Sequence, residues 1–186
     1  MSAFERGTVS GIRIVRVIDG DTVWVRQSGL WRWFFPGRNY SVRLYGIDAP
    51  ESNQKYGDAA TRGLRQLLRG GGYRMESMGT DRYDRVVGLI YRKSREQSVN
   101  HAMVRQGWAH AYVRYGGKEL DMPEAEREAR RERRGIWKSG REPEPPERWR
   151  QRQREGQARR SWVKVRMALT LAALAAVALI GYCYVF

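Results

Sequence analysis

Three short stretches of this chain gather the side chains best suited to chemistry. The first is Asp19-Gly20-Asp21-Thr22, the second is Arg43 followed by Asp48-Ala49-Pro50-Glu51, and the third is Asp81-Arg82-Tyr83-Asp84-Arg85. Asp21 and Asp48 can share one hard cation through carboxylate oxygens, the donor type that calcium prefers. Arg43 and Arg85 each offer a planar fork of donors that matches a phosphate group. Glu51 is then left to orient or deprotonate a water. A nucleophile, a Lewis acid and cations set against charge developing on phosphorus are what phosphodiester hydrolysis requires. Taken singly, each stretch reads as a turn, because Asp, Gly and Pro occupy turns for backbone reasons first. The combination carries the chemistry.

The rest of the composition narrows the choice of metal and partner. Cys183 is the only cysteine and lies in an apolar tail, so no intramolecular disulfide can form. His101 and His110 are the only two histidines, too few for a histidine-rich site. A bound metal should therefore be a hard cation held by oxygen. The 186 residues carry 35 Lys and Arg against 20 Asp and Glu, a formal charge of +15. That excess favours a polyanion, either nucleic acid or an anionic membrane surface.

The elements that must position these residues show in the hydrophobic pattern. Gly11–Ile18 alternates and is rich in β-branched residues, Asp19-Gly20-Asp21 signals a tight turn, and Thr22–Val25 resumes the alternation. Further strands are expected at Tyr40–Ile47, Tyr73–Met78 and Val86–Tyr91. Helical spacing predicts helices over Asp58–Leu68, over Val99–Gln106 with Ser98 as N-cap, and over Met122–Arg134 with Pro123 in its first turn. Five short strands and three helices predict an α+β domain on a small barrel of the oligonucleotide-binding (OB-fold) type.

The matching runs are Val17-Ile18-Asp19-Gly20-Asp21-Thr22, Val42-Arg43-Leu44 through Ile47-Asp48-Ala49-Pro50-Glu51, and Tyr56-Gly57-Asp58-Ala59-Ala60. They continue with Asp81-Arg82-Tyr83-Asp84-Arg85, with Val99 through Ala109, and with Arg134-Gly135-Ile136-Trp137. In this order and spacing the chain resembles the thermonuclease (staphylococcal-nuclease-like) family. The resemblance implies a five-stranded OB-type barrel with three helices and a calcium cofactor. It implies hydrolysis of DNA and RNA, preferentially single-stranded, to a 3′-phosphate and a free 5′-hydroxyl. By the same resemblance, Asp21 and Asp48 are the calcium carboxylates, and Ala49 supplies its main-chain carbonyl where the family often has Thr. Glu51 positions or activates the attacking water, and Arg43 and Arg85 are the phosphate and transition-state cations. Arg82, Tyr83 and Tyr112 line the nucleotide pocket, while Tyr115 stands one residue out of register with that pocket's second tyrosine. The intact Arg43, Glu51 and Arg85 favour an enzyme over a non-catalytic nucleic-acid-binding barrel or a membrane scaffold. No protein partner is implied.

Composition divides the chain into a nuclease-like domain at 1–140, a Pro/Arg/Gln-rich linker at 141–166 and an apolar segment at 167–186. The apolar segment has no charge and the length of a bilayer-spanning helix. Lys164 and Arg166, with Arg159 and Arg160 behind them, precede it, which predicts a tail anchor in a membrane with the catalytic domain on the cytoplasmic side. The N-terminus lacks an apolar stretch, so no cleaved secretory signal is expected. Residues 29–38 hold Trp31, Trp33, Phe34 and Phe35 where a short hairpin would serve. This loop either dips into the membrane interface, or packs on the domain's own surface or stacks bases; liposome flotation of the soluble zone with and without Trp31→Ala and Trp33→Ala separates these readings.

Overall fold

The computed structural model describes residues 7–27, 39–93, 95–113 and 121–185, with side chains for all of these but 8–10 and 172–185. The aromatic loop around Trp31 and Trp33, and Tyr115, lie outside the described residues. The chain divides into two units, 1–146 and 147–186.

In the first unit the alternating stretches form β1 (Gly7–Val17), β2 (Thr22–Gln27), β3 (Asn39–Leu44), β5 (Tyr73–Thr80) and β6 (Val86–Arg92). They close into a barrel in the order β1-β2-β3-β6-β5, antiparallel except for the β3–β6 pair. Val23 and Val25, then Tyr40, Val42 and Leu44, point inward and are buried, as a period of two requires. α1 (Gly57–Leu67), α2 (Val99–Arg105) and α3 (Met122–Arg131) are this unit's α-helices among the described residues, and Gly135–Trp137 forms a 3₁₀ turn. Ser98 caps α2, its Oγ accepting from the His101 amide at 3.1 Å. α3 stops three residues short of the expected Arg134.

The strand expected over Tyr40–Ile47 is in fact two. It ends at Leu44, turns at Gly46 with φ 76°, and resumes as β4 (Ile47–Asp48) in a separate small sheet. The partner of β4 is β7 (His110–Ala111), with Asp48 opposite His110. Gly46 takes the left-handed conformation that side chains disfavour, and this lets the chain leave the barrel wall.

Asn100 ties that exit in place from inside α2. Its Nδ2 donates to the carbonyls of Tyr45 at 2.9 Å and Gly88 at 3.0 Å, and its Oδ1 accepts from the Ile90 amide at 3.1 Å. All three bonds run to main chain and Asn100 is fully buried. Asn100→Ala takes a partner from each of these groups, of which the Gly88 carbonyl keeps the Tyr45 amide at 2.9 Å, and should destabilise the domain by about 3 kcal/mol. Thermal unfolding followed by tryptophan fluorescence should show a melting point about 10 °C lower; no shift would contradict the role given to Asn100.

The second unit is α4, a helix over Pro146–Val185. The expected extended linker is thus confined to 141–145, and 146–166 is helical. Pro146 sits in the first turn, where its missing N–H costs nothing, and the Arg and Gln that follow are good helix formers. Among the described residues no helix is long and apolar enough to cross a membrane. Most of the expected span, 172–186, lies beyond the last described side chain, Leu171.

Candidate active site

Arg43 joins the first two clusters. Its Nη1 donates to Asp21 Oδ1 at 2.8 Å and its Nη2 to Asp48 Oδ1 at 2.7 Å. Strand register places the first pair, since Thr22 of β2 stands opposite Arg43 of β3 and the Leu44 amide bonds the Asp21 carbonyl at 2.8 Å. The Gly46 turn and the β4–β7 pair place Asp48. Both aspartates are buried, at 5% and 3% exposure, whereas the Arg43 side chain keeps 20% and so meets solvent. Asp21 also accepts from Thr22 Oγ1 at 2.9 Å and from the Ala49 amide at 3.1 Å. A Cβ on Gly20 would stand 2.6 Å from the Ala49 Cβ and 2.9 Å from the Ala60 Cβ, so only glycine lets the β1–β2 turn seat against this loop.

Asp19 completes the cluster by receiving the Asp21 amide at 3.0 Å. Burial, then the negative charge of Asp21 and more weakly that of Glu51, push its carboxyl up from 3.8 to about 6. Such a rise marks negative charge gathered away from water, a field that a divalent cation relieves. The donor set fits calcium in kind: two carboxylates and the Ala49 carbonyl are hard oxygens. Among the described residues no three His, Cys, Asp or Glu side chains converge to complete a metal shell alone. A calcium ion held by these oxygens would take the rest of its roughly six to eight ligands from water or phosphate.

Glu51 is half-buried on the loop after Asp48. Gln54 shapes that loop: its Oε1 accepts from the Glu51 amide at 3.2 Å, its own amide bonds the Glu51 carbonyl at 2.8 Å, and its Nε2 donates to the Glu144 carbonyl at 2.6 Å. Gly57 must also be glycine, since a Cβ there would lie 1.9 Å from the Glu51 carbonyl oxygen. Gln54 is not singled out by any sequence motif; one buried amide in a polar loop gives no signal until its partners are known.

The third cluster forms the β5–β6 turn. Asp81 accepts from Arg85 Nε at 2.8 Å and from the amides of Tyr83 at 2.9 Å and Arg85 at 3.1 Å. Burial pushes the Asp81 carboxyl up, but the bonds from Arg85 and Tyr83 outweigh it and hold it below its usual range. The Tyr83 ring is 63% exposed, with the guanidinium carbons of Arg82 and Arg85 4.9 and 5.4 Å from its centre. Val42 pairs with Val86, so the parallel β3–β6 register brings Arg43 and Arg85 to the same end of the barrel. Tyr112 follows β7, its amide donating to the Gly46 carbonyl at 2.8 Å, so it borders the turn that presents Asp48. Behind β7, His110 Nδ1 meets Glu126 of α3 at 3.3 Å, a brace for this sheet that sequence spacing does not reveal.

Asp21, Arg43, Asp48 and Ala49 are thus in direct contact, and Arg82, Tyr83 and Arg85 form a second group on the turn beside them. Buried carboxylates bridged by one arginine, with an arginine- and tyrosine-bearing turn at the same end of a small barrel, suit the binding of a polyanion. Comparison with known proteins agrees. A family model described as staphylococcal nuclease homologue matches residues 41–139. An Escherichia coli protein described as an uncharacterized endonuclease is 37% identical over 140 residues, 75% of this chain and 84% of its own. The micrococcal nuclease of Shigella flexneri is 36% identical over 71% of this chain and 76% of its own. An uncharacterized endonuclease of Haemophilus influenzae is 31% identical over 76% and 74%. The chain belongs to the staphylococcal nuclease family. It is a nuclease, a hydrolase of nucleic-acid phosphodiester bonds.

Proposed function

We propose that this nuclease is calcium-dependent, cuts single-stranded DNA and RNA in preference to duplex, leaves 3′-phosphate ends, and is held at a membrane by its C-terminal helix. The observation that carries the catalytic part is the bridge from one Arg43 guanidinium to the buried carboxylates of Asp21 and Asp48, at 2.8 and 2.7 Å. In this reading the Asp21 and Asp48 carboxylates and the Ala49 carbonyl hold the ion. Calcium, when bound, supplies a Lewis acid for the phosphoryl oxygen and a more acidic water.

The chain's own groups do the rest. Glu51 takes a proton from the attacking water as its oxygen bonds to phosphorus. The bond from phosphorus to the 5′ oxygen breaks, and that oxygen leaves as a hydroxyl with a proton from solvent. Arg43 and Arg85 pair with the phosphoryl oxygens as charge grows there, which lowers the barrier more than it favours the ground state. Arg82, Tyr83 and Tyr112 bind the nucleotide. An exposed tyrosine ring stacks on any unpaired base, and phosphate contacts carry no base information, so single strands are cut with weak sequence preference. Asp48→Asn removes one anionic ligand. The calcium concentration for half-maximal hydrolysis of a single strand should rise at least about tenfold. An unchanged calcium requirement would contradict the assignment of Asp48.

The anchor rests on the uncharged run at 167–186 behind the basic Arg159, Arg160, Lys164 and Arg166. A span of this length inserts as a helix, and the basic flank keeps the preceding domain on the cytoplasmic side. In washed membranes the full chain should stay in the pellet through alkaline carbonate extraction. Release into the supernatant would overturn the anchor.

A further inference from the structure

β6 begins beside Arg85 and ends at Arg92, about 20 Å along the barrel wall at strand rise. At that far end, the last turn of α1, the end of β6 and the start of α2 leave a groove. It consists of adjoining hollows of about 290 and 250 Å³ that share Leu67, Arg95, Gln97, Ala102 and Gln106. Arg92 walls one side and turns its Nη2 to the Arg69 carbonyl at 2.6 Å. Gln66 lines the groove from α1. Arg62, four residues earlier, shares its helix face; Arg69 lies just past the end of α1, where its carbonyl holds Arg92, and both are exposed beside the groove, as is Arg95 in its lining.

The charge here is compensated on one wall only. Arg105 and Arg134 on the far wall share Glu128, at 3.2 and 3.1 Å, and Arg134 also pairs with Glu132. Among the described residues no carboxylate pairs with the side chains of Arg62, Arg69 or Arg95. Glu96 is exposed in the same loop and is the acid nearest in sequence to Arg95. Arginine forks bind phosphate oxygens in pairs, and the glutamine amides add neutral donors and acceptors.

We infer that this groove is an accessory site for the sugar-phosphate backbone of the substrate strand, away from the bond that is cut. The inference rests on the chain being a nuclease but not on calcium or on the role of any catalytic residue. A concave strip suits a single strand better than a lipid surface, which is flat and is normally met by exposed large apolar side chains. The exposed large apolar residues among those described, such as Val15, Trp24 and Tyr83, do not line the groove. Barrels of this class cover about 4–16 nucleotides, so a second contact makes affinity grow with strand length.

The test compares full-length protein with the variant Arg62→Gln/Arg69→Gln/Arg95→Gln, in non-ionic detergent with EDTA present so that no strand is cut. Binding of a 30-nucleotide single strand and of a trinucleotide is measured across a salt series. The triple variant should bind the long strand about tenfold more weakly, with its salt slope reduced by about 2, since each lost phosphate contact removes roughly 0.7. Trinucleotide binding should be unchanged, and the corresponding triple Lys variant should restore most of the loss. Equal weakening for both lengths, or an unchanged long-strand affinity and slope, would overturn the site. So would unchanged long-strand binding by the triple variant combined with flotation that falls, relative to the parent, on anionic but not on neutral vesicles, which would assign the groove to lipid. A matched melting temperature for the three proteins shows that the surface changes leave the fold intact.

Discussion

Arg43→Ala is expected to lower kcat on single-stranded DNA by about a thousandfold, the scale on which a transition-state cation acts on phosphoryl transfer. It is also expected to have a second effect that a purely catalytic residue would lack. The guanidinium is the cationic partner shared by two buried carboxylates, Asp21 and Asp48. Removing it leaves two negative charges facing each other out of water, which destabilises the fold by about 3 kcal/mol. In chelator the variant should therefore melt well below the parent, and added calcium should close most of that gap by supplying the missing positive charge. The parent should gain less from calcium. Single-turnover rates and melting curves with and without calcium measure both effects. A kcat within tenfold of the parent, or a melting point that calcium moves equally in both proteins, would contradict the dual role.

Glu51→Gln should act on the rate alone. The contacts that shape its loop run through the Glu51 main chain to Gln54, so the amide isostere keeps them. Loss of a general base costs about 10²–10⁴ in rate. Affinity for a single strand, measured in chelator, should be unchanged. A variant that weakens strand binding as much as it slows cleavage would make Glu51 a binding residue instead.

Much of the barrel was legible in the sequence because its strands face water on one side. Tyr40, Val42 and Leu44 alternate with Ser41 and Arg43, and β-branched Val23 and Val25 alternate with Thr22, Trp24 and Arg26, a period that has one reading. The α2 start was legible at Ser98 for a similarly local reason, a side chain that bonds an amide three residues on. What stayed hidden depends on distant partners. Ile47 and Asp48 continue the rhythm of β3, so nothing local says that they leave the barrel; their partners, His110 and Ala111, are far along the chain. Gln54 and Asn100 look like ordinary polar residues until their main-chain partners are seen. The prolines before α4 read as an extended linker, yet Pro146 opens a helix, because proline is excluded from a helix interior and not from its first turn. In the site, the order of Asp21, Arg43, Asp48 and Glu51 was plain from resemblance. The bridge by which Arg43 holds both aspartates was not, since it requires strand register and the Gly46 turn together.

The proposed reaction leaves products that can be read directly. Purified full-length protein is given a 5′-labelled single-stranded DNA with calcium or with excess chelator, and the ends of the fragments are determined. The proposed mechanism predicts fragments that carry 3′-phosphates and 5′-hydroxyls with calcium, and an intact strand with chelator. Cleavage that persists in chelator, or fragments that carry 5′-phosphates, would contradict it.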